Sequence, residues 1–126
     1  MNSRARQLPE LELEVMKVLW RRDEATVAEV QEELKPARPL AYTTVMTVLD
    51  RLARKGAADR DKQGRGYLYR PAVSKQEVRE LAFERLLDDF FSRSPEKLLE
   101  YVQERRIVES QAYNGNGSPH LDSALL

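Results

Sequence analysis

Hydroxyl and cationic side chains are concentrated in one short segment, YTTVMTVLDRLARKG, from Tyr42 to Gly56. A threonine inside a helix costs up to about 0.7 kcal/mol relative to alanine, so Thr43, Thr44 and Thr47 call for a reason other than helix stability. A threonine hydroxyl can hydrogen-bond a base edge or a phosphate, and its methyl group can touch a thymine methyl. These residues therefore favour contact with double-stranded DNA.

The spacing of the apolar residues predicts that this segment is an amphipathic helix over 41–55. The apolar stripe recurs at helical intervals and comprises Tyr42, Val45, Met46, Leu49, Leu52 and Ala53. At about 100° per residue, the side opposite this stripe carries Thr43, Thr47, Asp50, Arg51 and Arg54, with Thr44 at its margin. Two alternatives stay open: Thr43 or Thr44 caps the helix, and the arginines form a solvated face.

The residues after this helix predict a β-hairpin. Two glycines lie in the stretch Asp61–Gly66, and Tyr67 and Tyr69 alternate with other residues behind it. Such a hairpin is the wing of a winged helix, and we place it at 60–67. Its basic residues Lys62 and Arg65, with Arg60 as a weaker candidate, would lie along the phosphate backbone. Tyr67 and Tyr69 are expected to pack the wing.

Other helices are needed to position these two elements. We predict a helix from Pro9 to Trp20, and Thr-x-x-Glu and Ser-x-x-Glu capping boxes start further helices at Thr26 and Ser74. The predicted fold is mainly α with a small β-hairpin, namely a winged helix-turn-helix followed by a C-terminal helical dimerisation region. The predicted division is a flexible N-terminus at 1–8, a DNA-binding domain at 9–72, the helical region at 73–110 and a disordered tail at 111–126.

Composition excludes several classes of protein. The formal net charge is zero, but 38–70 holds eight basic residues against three acidic ones, so the charge is segregated. Cysteine is absent, which excludes disulfides and thiolate metal sites. No apolar run is long enough for a membrane span or a signal peptide, so we expect a cytoplasmic protein without a membrane partner. The single histidine, His120, and the Asp88-Asp89 pair make a poor catalytic set; we expect no enzyme and no cofactor.

Several of these runs together resemble the BlaI/MecI penicillinase-repressor family. The resemblance covers roughly Leu8 to Val102 and rests on LPELE from Leu8, VLW from Val18, TVAEV from Thr26, YTTVMTVLDRL from Tyr42 and Lys55-Gly56. It implies a bacterial homodimeric repressor that binds an inverted-repeat operator on double-stranded DNA. The family's DNA-facing positions fall on Thr43, Thr44, Thr47, Arg51, Lys62 and Arg65.

The resemblance also implies a dimerisation surface in the C-terminal helices. Its residues here would be Phe83, Leu86, Leu87, Phe90, Phe91, Leu98, Leu99 and Val102. The alternative is that these side chains form an intramolecular core. Relief of repression by a sensor protease is implied by well-known members, although another signal that disrupts the dimer stays open. A winged-helix module that binds protein instead of DNA is the competing function.

Overall fold

The computed structural model describes the backbone of residues 8–116 and the side chains of residues 8–109. Five helices and three short strands follow one another along the chain. In order they are α1 (Glu10–Arg22), β1 (Ala25–Thr26), α2 (Val27–Leu34), α3 (Tyr42–Arg54), β2 (Ala58–Gln63), β3 (Gly66–Pro71), α4 (Lys75–Phe90) and α5 (Pro95–Asn116). The predicted mainly α fold with a small hairpin is confirmed.

Both predicted capping boxes are present. At the start of α2, the Thr26 hydroxyl accepts a hydrogen bond from the Glu29 backbone N–H, and the Glu29 carboxylate accepts one from the Thr26 N–H. Ser74 and Glu77 make the same reciprocal pair before α4. Each box satisfies two backbone donors that the first helical turn leaves unpaired. The Thr26 backbone bond is also the main reason that the pKa of Glu29 is lowered.

The core of the N-terminal part lies between α1, α2 and α3. Its fully buried side chains include Val15, Met16 and Leu19 of α1, Val30 of α2 and Leu49 of α3. Trp20 is half-buried against this core and donates its indole N–H to the Val73 carbonyl at 3.0 Å. Helices α1 and α2 thus pack against one face of α3.

The strands form one antiparallel sheet in the order β1-β3-β2. The predicted hairpin is β2 and β3, paired from Ala58 opposite Pro71 to Gln63 opposite Gly66. Its turn is tighter than the predicted Asp61–Gly66 loop and is made possible by Gly64, whose φ of 61° is costly for other residues. Strand β1 was not predicted. Its pairing with β3 joins residues far apart in sequence, which local patterns do not reveal.

The chain divides into two compact units, with the boundary between Ala82 and Phe83. The start of α4 belongs to the first unit, because Val73 and Val78 are buried in its core. The first unit thus extends past residue 72, the predicted end of the DNA-binding domain.

In the second unit, Phe91 and Tyr101 pack edge to face with ring centroids 5.5 Å apart. The Ser94 hydroxyl accepts a hydrogen bond from the Lys97 N–H at the start of α5.

Helix α5 continues to Asn116, whereas the sequence predicted a disordered tail from residue 111. Extending an existing helix is much easier than nucleating one, so polar residues without apolar periodicity can still join its last turns. Residues 111–116 of the predicted tail are therefore part of α5. Residues 117–126 of that tail, and most of the predicted flexible N-terminus, lie outside the described residues.

A partly buried ion pair joins α1 to the end of α3. Glu12 is 4% exposed, and its carboxylate accepts a hydrogen bond from the Lys55 ammonium at 2.6 Å. Lys55 caps the C-terminus of α3, where a positive charge also interacts favourably with the helix dipole. Glu12 therefore helps to fix the position of α3.

Replacing Glu12 with alanine should lower the free energy of unfolding by about 1–3 kcal/mol, because the buried Lys55 contact is lost and a space opens beside it. Urea denaturation followed by circular dichroism would measure the change. The control is Glu10→Ala on the exposed side of the same helix, which should change stability by less than about 0.5 kcal/mol. Equal midpoints for the two variants would contradict this role of Glu12.

Candidate nucleic-acid interface

Helix α3 has one buried side and one exposed side. Val45, Val48, Leu49 and Leu52 are buried. All the residues that the sequence assigned to DNA on this helix are exposed, namely Thr43, Thr44, Thr47, Arg51 and Arg54. The structure thus leaves these five side chains accessible to a large ligand.

Two members of the predicted apolar stripe are not core residues. Tyr42 is 49% exposed and Met46 is 42% exposed, because they lie on the flank of α3 and not beneath it. Together with Arg65 and Tyr67 they line part of a cleft of about 220 Å³ between α3 and the wing. The sequence could not separate them from core residues, because a helical stripe does not show how wide the covered arc is.

The threonines do not cap the helix. The N-cap position is Ala41, and no side chain makes a capping hydrogen bond there. The Thr47 hydroxyl donates to the Thr43 carbonyl at 2.9 Å. Within the described part of the chain, the hydroxyls of Thr43 and Thr44 make no hydrogen bond. The capping alternative for Thr43 and Thr44 is therefore wrong, and their polar groups face solvent.

The arginines of α3 differ in their surroundings. Among residues 8–109, Arg51 makes no ion pair and no hydrogen bond through its side chain. Arg54 donates from Nε to the Asp50 carboxylate at 3.0 Å and from Nη2 to the same oxygen. Arg51 is thus an unpaired cation, whereas Arg54 is held along the helix by a neighbour one turn away.

The wing carries its cations on exposed positions. Arg65 lies in the β-turn, and its side chain has no partner in the described structure. Lys62 lies 5.6 Å from the centre of the Tyr67 ring, and the Arg60 guanidinium lies 4.4 Å from the same centre. Tyr69 is buried, as expected for a residue that packs the wing. Tyr67 is half-buried and supports both cations through its ring face.

Asp50 connects the helix to the wing. One carboxylate oxygen accepts from Arg54, and the other accepts from Arg60 Nη1 at 2.9 Å. The hydrogen bond from Arg54 is the main cause that lowers the pKa of Asp50, and Arg60 adds to it. The sequence analysis did not give Asp50 this role. The i, i+4 spacing of Asp50 and Arg54 is a local signal from which an ion pair could have been predicted. The hydrogen bond from Arg60 to Asp50 depends on the fold and has no such signal.

The penicillinase repressor family model matches residues 8–113 of this chain. The chain belongs to the penicillinase repressor family. The Bacillus licheniformis penicillinase repressor is 34% identical over 86 residues, which are 68% of this chain and 67% of the relative. The transcriptional regulator BlaI of Mycobacterium tuberculosis is 45% identical over 73 residues, which are 57% of this chain and 53% of the relative. The chain thus spans between half and about two thirds of these relatives.

A solved structure of a family member is also similar. It is the solution structure of the monomeric form of Bacillus licheniformis BlaI in complex with the blaP half-operator. The two chains superpose with a TM-score of 0.50 at 36% identity, covering 58% of this chain and 89% of the other. The matched part of that protein forms a winged-helix domain, as the first unit does here.

These findings confirm the predicted family and the predicted class of DNA-binding winged-helix repressor, and place the chain in a non-enzymatic family. Separately, none of the helices within residues 8–116 has the length and apolarity needed to cross a bilayer.

The different burial of two neighbouring apolar residues predicts different costs of truncation. Leu49→Ala should lower stability by about 2–5 kcal/mol, because it opens a cavity in the core. Met46→Ala should cost about 1 kcal/mol or less, because its side chain is already largely hydrated. Urea denaturation of the two variants would measure both costs. Similar losses would show that Met46 is a core residue after all.

Proposed function

We propose that this chain is a cytoplasmic homodimeric repressor that binds an inverted-repeat operator through α3 and the wing. The observation that carries the proposal is the exposed side of α3, where the hydroxyls of Thr43 and Thr44 and the guanidinium of Arg51 have no competing partner in the described structure. A basic wing follows directly. This arrangement combines short polar side chains that can enter a major groove with cations that can reach phosphates.

The start of α3 is suited to a phosphate. It is the sole helix of the described structure whose first turn contains no acidic residue. Its first backbone N–H groups also receive no side-chain cap. The positive end of the helix dipole is therefore free of internal neutralisation, which favours the approach of an anion.

Thr47 is the best candidate for reading a base. Its single hydroxyl proton is already donated to the Thr43 carbonyl, so the oxygen can act towards DNA only as an acceptor. In the major groove its partners would be the amino groups of adenine or cytosine, and its methyl group would suit thymine. Thr43 and Thr44 keep both donor and acceptor capacity and can serve bases or phosphates.

The cations have a different task from the threonines. Arg51, Arg54, Lys62 and Arg65 are exposed, as ligands of a flexible polyanion should be. Phosphate contacts of this kind supply affinity and fix orientation, but they carry little sequence information. We assign Lys62 and Arg65 to the phosphate backbone beside the groove that α3 occupies.

The second unit supplies the dimer surface in this proposal. Of the eight residues predicted for it, five are exposed: Phe83, Leu86, Phe90, Leu99 and Val102. Tyr101, Ile107 and Val108 add further exposed apolar area. An apolar surface of this extent on two helices favours burial against a second copy. Leu87 is already buried within the protomer, which leaves little of it for a partner, and Phe91 and Leu98 are half-buried.

Dimerisation is part of the DNA-binding mechanism. A single module with a few base contacts binds non-specific DNA with a Kd of about 10⁻⁴–10⁻⁶ M. Linking two modules makes the second binding step intramolecular and can raise the overall affinity by about 10²–10⁴. Any event that separates the protomers, whether cleavage by a sensor protease or another signal, would return the protein to the weak regime and relieve repression.

Thr47→Val should test base reading, because valine keeps the β-branch and the shape but removes the acceptor. Discrimination at one or two base pairs should fall by about 1–3 kcal/mol. Affinity for scrambled DNA should be unchanged. Fluorescence anisotropy would measure both, with a duplex selected by the wild-type protein from random-sequence DNA and a scrambled duplex of equal composition.

Arg65→Ala is the control for a phosphate contact. It should weaken binding to both duplexes similarly and reduce the slope of log affinity against log salt by about 1. Equal losses on both duplexes for Thr47→Val would remove Thr47 from base readout. Absence of any mobility shift for the wild-type protein at low salt would favour the protein-binding alternative.

Phe90→Asp should convert the dimer to a monomer, since a carboxylate on a side chain that is 75% exposed in the protomer would enter the apolar interface. Light scattering would give the mass, and operator affinity should fall by about 10²-fold or more. Gln76→Asp introduces the same charge at an exposed polar position of α4 and should leave the dimer intact. A dimeric Phe90→Asp variant would exclude this surface.

A further inference from the structure

The Asp50 carboxylate occupies an unusual position for a negative charge. It lies on the helix that we assign to the major groove, yet both of its oxygens are used by cations of the interface. Arg54 comes from the same helix and Arg60 from the adjacent strand of the wing. A single carboxylate thus contacts guanidinium groups on two different elements, and the Arg60 guanidinium also lies against the Tyr67 ring.

We propose that Asp50 is a specificity-determining positioning residue of the DNA interface. It holds Arg54 and Arg60 in fixed orientations and prevents them from binding phosphates indiscriminately. The inference rests on the proposed function and extends it, since it assigns a role to an acidic residue that none of the DNA-contact predictions included. Its consequence concerns the ratio of operator affinity to random affinity, and not overall affinity.

The geometry explains how the carboxylate limits the two arginines. Arg54 directs Nε and Nη2 to one oxygen of Asp50, which leaves Nη1 for other partners. Arg60 directs Nη1 to the second oxygen, and its guanidinium also lies over the Tyr67 ring at 4.4 Å. Each arginine keeps some donors, but their directions are set by Asp50. A guanidinium group held in one orientation can donate to only one arrangement of acceptors. A mobile arginine can reorient and bind whichever phosphate is near.

Stability alone is a weak reason for this arrangement. Arg54 has a side chain that is 72% exposed, and exposed ion pairs contribute little to the folded state because water screens them. The carboxylate also adds repulsion towards the polyanion in a region that is otherwise basic. The Asp50 carboxylate therefore lowers the affinity for random DNA, and such a loss is useful to a protein that must discriminate between sequences.

Asp59 provides a matched control. It is exposed on β2, close in sequence to Arg60, and its carboxylate makes no ion pair or hydrogen bond among the described residues. Asp59→Asn and Asp50→Asn therefore make the same change of charge and of size. They differ in whether two arginines are released, so a comparison separates positioning from net charge.

The experiment measures affinities of both variants for the wild-type-selected duplex and the scrambled duplex across a salt series. For Asp50→Asn, affinity for scrambled DNA should rise several-fold while operator affinity stays level or falls. The specificity ratio should decrease by about five- to tenfold, and the slope on scrambled DNA should steepen by about 1–2, as one or two new phosphate contacts form. For Asp59→Asn, both affinities should rise together and the ratio should stay constant.

The conservative variant Asp50→Glu should recover part of the ratio, because it restores a carboxylate within reach of both arginines. A ratio for Asp50→Asn equal to that of Asp59→Asn would overturn the proposal, as would a ratio that falls equally for Asp50→Glu. Circular dichroism establishes that each variant is folded, which is expected for substitutions outside the apolar core. Failure of the wild-type protein to prefer any duplex is a different result, and it would refute the proposed function itself.

Discussion

The one-sided burial of α3 is the constraint on which the rest of the structure depends. Val45, Leu49 and Leu52 enter the core formed with α1 and α2, and this packing fixes the rotation of α3 about its axis. A helix rotated by a third of a turn would hide Thr47 and expose the leucines. Tertiary packing of the buried row also offsets the low helix propensity of the threonines. The residue types on the exposed side of α3 are therefore free to suit DNA recognition, because they are not needed for the stability of the helix.

Charged contacts refine the position that apolar packing sets. The Glu12–Lys55 pair holds the C-terminal end of α3 to α1, and the Asp50 carboxylate joins the middle of α3 to the wing through Arg60. The Glu12 carboxylate is buried, whereas both side chains of the Asp50–Arg60 pair reach solvent, so the two pairs restrict different parts of the chain. A buried pair restricts the backbone, whereas an exposed pair mainly restricts side chains. The interface thus combines a rigid helix with arginines whose directions are set locally.

Local patterns explain what the sequence could predict. Capping residues such as Thr26 act within one turn, and an apolar stripe acts within one helix, so helices and hairpin were predicted near their observed positions. The exposure of the predicted DNA-contact residues on α3 follows from helical periodicity and is observed, whereas their contact with DNA stays a prediction. Strand β1, the exposure of Met46 and the bond from Arg60 to Asp50 depend on residues distant in sequence. Contacts of that kind require the fold, because only the fold decides which elements become neighbours.

The proposed assignment of DNA binding to the first unit and of dimerisation to the second has a thermodynamic reason. As proposed here, a winged-helix unit with one base-reading threonine and a few phosphate contacts would not by itself hold an operator against competing non-specific sites. Strengthening it with more cations would raise random binding as much as operator binding. Pairing two copies of the chain through the proposed apolar surface, with Phe90 at its most exposed point, would multiply the sequence-dependent contribution as well. In the proposed dimer, specificity therefore grows with assembly, and a signal that separates the helices of the second unit would control it.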